Sequence, residues 1–167
     1  MKHIHKYTPG RIIFSVTHAS HDDIGGGGVN LKLTILANNT SHRAKVNFLG
    51  FFVVLTNSTS STEKYTTDFT VLEPKFPFPS EHDYSSSEQS SVEIKASVHL
   101  LDAGMVSSFT GQRLNTRGLT VVLTSEVRFL IGVARTKIFD IRVSCPGVTF
   151  VHDGPMSRAQ QAFPCDG

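Results

Sequence analysis

Strict alternation of apolar and polar residues, repeated along nearly the whole chain, is the feature that most narrows what this sequence can fold into. Successive side chains of a strand point to opposite faces, so a period of two marks strands with one buried face. Ile12, Phe14 and Val16 share one face, as do Val29, Leu31, Leu33 and Ile35. Between them "SHDDIGGGG" predicts a turn-rich loop. Residues 46–55 are apolar on both sides, Phe48, Phe52 and Val54 against Leu49, Phe51 and Val53. That pattern predicts a central strand or a buried second face, and not a solvent-facing edge, although "FLGFFVV" could instead offer an apolar binding surface.

After "NSTSSTEK" the alternation resumes at Tyr65, Thr67, Phe69 and Val71, then stops in "EPKFPFPSEHDYSSSEQSS". Proline removes ladder donors and serine competes for backbone bonds, so this stretch predicts a loop. Val92, Ile94, Ala96, Val98 and Leu100 form a fifth run. Leu101, Met105 and Phe109 at helical spacing allow one short helix within residues 101–115, which Gly104 and Gly111 keep from being long. Two further runs make a β-hairpin around "GVARTK": Leu119, Val121, Leu123, Val127, Phe129 and Ile131, then Phe139, Ile141, Val143 and Cys145. About seven strands with no βαβ rhythm predict an all-β fold, an antiparallel β-sandwich of the fibronectin or immunoglobulin kind. An antibody-type domain is disfavoured, since the chain has no Trp and both cysteines fall near the C-terminal end.

At 167 residues one core is the default. The expected organisation is an N-terminal tail over residues 1–9, a β-sandwich over 10–150 and a C-terminal tail over 151–167. A net charge of +2, with acids and bases interspersed, argues against nucleic-acid binding, which needs a basic stripe to release counterions. No apolar run reaches the length of a membrane span, and "MKHIHKYTPGRIIF" lacks the apolar centre of a signal peptide. As written, the sequence is expected to be soluble and without an export signal.

Catalytic and metal chemistry find little support, so no catalytic residue, metal or cofactor is expected. Of the eight histidines, the best local group is His18, His21, Asp22 and Asp23, placed by the pattern in a solvated polar turn. A metal needs three or four ligands converging on one point. His3 and His5 lie in a terminus expected to fray. The glycines at 25–28 precede a strand and have no Walker lysine, so they lack what a phosphate loop requires.

The two cysteines carry more information. Cys145 continues the buried parity of Phe139, Ile141 and Val143, where an unpaired cysteine would be an inert small hydrophobe. Pairing with Cys165 is the favoured reading, because the tail after Phe150 has too little apolar surface to order itself. Such a crosslink persists only in an oxidising compartment. Sequons at Asn38, Asn39 and Asn57 point the same way. Asn57, in the polar "TNSTSST", is the expected glycan site, and the overlapping Asn38 and Asn39 can carry only one glycan between them.

With these strands in place, "GLTVVLTSEVRFLIGVARTKIFDIRVSC" resembles the final hairpin of the plant late embryogenesis abundant group 2 domain, found in hydroxyproline-rich glycoprotein and harpin-induced-like proteins. "VNLKLTILANNT" is similar to the strand before that family's Asn-Pro-Asn turn, with Asn39 and Thr40 replacing the last two residues, and "LEPKFPFP" resembles its Pro-Phe loop. The resemblance runs from about Pro9 to Phe150. It implies a fibronectin-like sandwich with a short helix and no known catalytic residues. It also implies a domain outside the cytosol, held at the plasma membrane by an N-terminal helix that would end about where this sequence begins. The expectation is therefore a non-enzymatic interaction or protective domain in stress or defence, with an unknown protein or cell-wall partner. One alternative is a soluble, cytoplasmic desiccation-protective protein. A second is a sandwich-fold sugar binder or hydrolase using His18, His21 and Asp22.

Overall fold

The structure is a computed structural model that describes residues 11–41, 44–56, 66–72, 91–101, 106, 119–153 and 162–167. It is all-β. Seven long strands follow the alternating runs: β1 (Ile12–Ile24), β2 (Gly28–Asn39), β3 (Lys45–Thr56), β4 (Thr66–Leu72), β5 (Ser91–Leu100), β6 (Leu119–Ile131) and β7 (Ala134–Val148). Two short strands follow, β8 (Val151–His152) and β9 (Phe163–Pro164). The hydrogen-bonded order is β7-β6-β3-β4-β5-β2-β1-β8, with β9 also on β1. The pairings are antiparallel except β1 with β8.

A single strand joins the two halves of this path. β4 pairs through Thr66, Thr67, Asp68 and Phe69 with β3, then through Thr70, Val71 and Leu72 with β5. The sheet curls strongly into a half-barrel whose inner face is the core. Phe14, Leu31, Leu33, Ile35, Leu55, Ile94, Leu123, Phe129 and Phe150 are its largest fully buried side chains. The short helix expected in residues 101–115 lies outside the described residues apart from Leu101 and Val106; Val106 has helical backbone and packs against the core. The loop expected in "EPKFPFPSEHDYSSSEQSS" also lies outside them, apart from Ser91 of β5. Among the described residues no helix is long and apolar enough to cross a membrane.

Three local readings of the pattern are corrected. "HASHDD" is strand, not turn: it belongs to β1 and pairs residue by residue with β2 as far as Ile24 opposite Gly28. The turn itself is confined to three glycines, of which Gly26 and Gly27 take φ of 85° and 86°. A side chain would be strained there, which is why glycine stands at both positions.

The second correction concerns β3. A register shift between Phe48 and Gly50 turns the parity over. Phe48 and Phe51 therefore face the core together, ring centres 5.3 Å apart, while Leu49 and Phe52 face outward. The strand is central, between β4 and β6, as the first of the two alternatives has it, while its second face is partly open: Phe52 is 62% exposed and Val54 half-buried. The third is Ile131, which follows the buried parity of β6 but is exposed at the end of the hairpin.

The bulge is supported from β6. Ser125 is fully buried opposite Phe51, and its hydroxyl donates to the Gly50 carbonyl over 3.2 Å. Ser125→Ala leaves that carbonyl without this donor, and unsatisfied buried groups cost about 1–3 kcal/mol. The expected result is a lower denaturation midpoint with an unchanged m-value, measured in urea.

Candidate functional site

Within the C-terminal segment, expected to be a tail over residues 151–167, Val151–His152 and Phe163–Pro164 pair with the sheet. β8 lies parallel to β1 with His152 opposite His21, and β9 lies antiparallel to it with Phe163 opposite Val16. The Cys165 amide donates to the Phe14 carbonyl over 3.1 Å. On its other side the same segment reaches β7: the Ser144 and Asp166 amides donate to each other's carbonyls at 2.7 and 2.8 Å. Residues 163–166 thus lie between β1 and β7, the strands that end the two halves. Cys145, completely buried on β7, is seated as a disulfide pair with Cys165, Cα atoms 4.0 Å apart.

The polar cluster singled out in the sequence is divided by the same pleat. A register shift between Val16 and His18 moves the inward positions of β1 from Phe14 and Val16 to Ala19, His21 and Asp23. His21 stands opposite the buried Leu31, and Asp23 opposite Val29. His18 and Asp22 face the other way; His18 borders a shallow depression shared with Lys32, Thr34, Lys95 and Ser97. His18, His21 and Asp22 therefore do not form one site. Ser20 is buried, with no partner for its hydroxyl among the described residues, and it projects to the face opposite His21. Adjacent strand residues cannot act as a nucleophile and base on a common substrate.

His152 joins His21 in their place. The two rings lie with centres 5.3 Å apart and planes at 88°. Around them, the Asp153 amide donates to the His21 carbonyl at 2.8 Å, and the Lys32 ammonium meets the Asp153 carboxylate at 3.2 Å. Burial at the rim of the core holds the His21 imidazole below its usual pKa, and the neighbouring His152 lowers it further; Asp23 and Asp22 pull weakly in the opposite direction. His152 lies in the C-terminal segment, far from "HASHDD" in sequence, and no local spacing could have linked the two.

Of the three sequons, Asn57 lies outside the described residues. Asn39 is occupied: its side-chain amide donates to the Ala44 carbonyl at 2.9 Å, and its carbonyl accepts from the Ser41 amide at 3.1 Å. These bonds shape the β2–β3 turn and withdraw the nitrogen a glycan would need. Asn38, opposite Ile13 and Ser91, lies on the outward face of β2. Among the described residues no three His, Cys, Asp or Glu side chains converge as metal ligands. Comparison of the chain with family models, with curated proteins and with solved structures gives no match.

Proposed function

We propose that the chain is a non-enzymatic interaction or protective domain of the stress and defence type, working at the extracellular face of the plasma membrane. The observation that carries this reading is the Cys145–Cys165 pair. A crosslink that fastens the last strand is useful only where it stays oxidised, and cytosolic thiols are kept reduced. The resemblance of the final hairpin to the late embryogenesis abundant group 2 domain supplies the stress and defence context. Binding, as opposed to catalysis, is supported by the outward Phe52 and Leu49 on the middle strand β3, large apolar side chains offered to a partner. A fibronectin-like sandwich is the finer form of the fold that this reading carries.

The test is the state of the two thiols in native tissue. Protein alkylated at harvest and weighed intact, with and without reduction, is expected to carry alkyl groups only after reduction. Two thiols alkylated before reduction would favour the cytoplasmic protective reading instead. The same material is expected to carry any glycan of residues 38–41 on Asn38 and none on Asn39, read by peptide mapping after glycosidase treatment.

A further inference from the structure

We propose that β8 is an acid-sensitive latch on the edge of β1, closed at neutral pH and opened when His21 and His152 both take up protons. The two residues stand opposite each other in the parallel pairing of β1 with β8, and their rings lie with centres 5.3 Å apart. Docking of β8 fixes that separation. Histidine is the side chain whose ordinary pKa puts a change of charge between about pH 5 and 8. A proton on each ring sets two like charges against each other at this distance, and the pairing must give way for them to separate.

The surrounding charges do not cancel the repulsion. Among the described residues neither imidazole lies within ion-pairing distance of a carboxylate. On β2, Leu31 opposite His21 and Val29 opposite Asp23 carry no charge, and the Lys32 ammonium is held by Asp153 at 3.2 Å. β9 meets β1 farther along, through the uncharged Pro164 and Phe163. The His21 pKa is lowered first by burial and then by His152, while Asp23 and Asp22 on its own strand pull weakly upward. The influence of His152 exists only while β8 is docked. Docking therefore disfavours the proton, and by reciprocity the proton disfavours docking. The docked segment binds fewer protons than the opened one, so closure is complete above histidine's ordinary pKa of about 6.5 and weakens as pH falls below it, towards the lower value of docked His21.

Opening stays local. Phe150, just before β8, is completely buried in the core, and Cys165 is held by its disulfide. What acid releases is Val151, His152 and Asp153, including the Asp153 amide that donates to the His21 carbonyl at 2.8 Å. The outer edge of β1 at Ser20 and His21 is then uncovered, and an uncovered strand edge can pair with another extended segment.

The latch goes beyond the proposed function, because it holds whatever the domain binds. It is tested on the oxidised full chain by amide hydrogen exchange between about pH 7.5 and 5, with each rate divided by the intrinsic rate at that pH. Protection of the Asp153 amide should fall on acidification by at least about fivefold, the lower end of ordinary coupling between two sites. The Cys165 and Asp166 amides, bonded to β1 and β7, should keep theirs. His152→Gln leaves a neutral polar side chain at an exposed position, so it should fold as the parent does and lose the acid response. His152→Lys places a permanent positive charge there and should show low Asp153 protection at both pH values. Protection that falls alike in the parent and in His152→Gln, or that does not fall in the parent, would overturn the proposal.

Discussion

Cys165→Ala should lower the stability of the protein by about 3 kcal/mol, the chain-entropy value for a loop of this length. The bond closes a segment with a sequence separation of 20, most of which has no other covalent constraint. Changing Cys165 is preferable to changing Cys145, which is completely buried and would leave a cavity of its own. The loss should also be local. The amides of Cys165, Asp166 and Ser144, which bond across the junction, should exchange with deuterium faster than in the parent. Those of Val53 and Leu123, deep in the β3–β6 pairing, should slow the exchange in both proteins nearly alike. A urea midpoint unchanged by the substitution would show that the strap is held without its crosslink.

A still larger effect is expected at Phe129. It is fully buried on β6, opposite Val46 of β3, and meets Phe139 of β7 edge-on with ring centres 5.7 Å apart. Phe→Ala at such a site costs about 3–5 kcal/mol, combining lost transfer energy with the cavity left behind. Small domains hold only about 5–15 kcal/mol in all, so Phe129→Ala should leave a marginal fold. Phe139 is the control: it is half-buried, on the same face, and shielded partly by Lys137, whose ammonium lies 5.3 Å from the ring centre. Phe139→Ala should cost clearly less. Equilibrium denaturation of the two variants side by side gives the comparison, and equal losses would mean that the hairpin end packs more deeply than its exposure indicates.

The strands were legible because a half-buried strand writes its pleat directly into the order of its residues. Leu119 through Phe129 and Ile141 through Cys145 show this, and Cys145 could be assigned to the inner face on parity alone. What the alternation could not reveal has three physical origins. A bulge costs one residue and leaves no compositional mark, so the inversion at Leu49 put Phe48 and Phe52, which share a parity in the sequence, on opposite faces. Backbone pairing is indifferent to side-chain polarity, so "HASHDD" could continue β1 although it looks like a loop. A strand of two residues, such as β8 or β9, is shorter than the period needed to recognise one. The histidine pair escaped notice for this last reason, since His152 is placed by β8.

The position of residues 163–166 also sets an order of events in time. Ser15 and Val16, among the first residues of the sheet to be made, stand opposite Pro164 and Phe163, which are made about 150 residues later. At ribosomal rates of about 5–20 residues per second, the outer side of β1 must wait on the order of ten seconds for its partner. The β1–β2 hairpin can form at once through its glycine turn, while the sheet around it remains incomplete. Closure thus waits until residues 163–166 are made, and the crosslink that then locks it depends on an oxidant to join the two sulfurs. A cell that controls thiol oxidation thereby controls when this protein finishes folding.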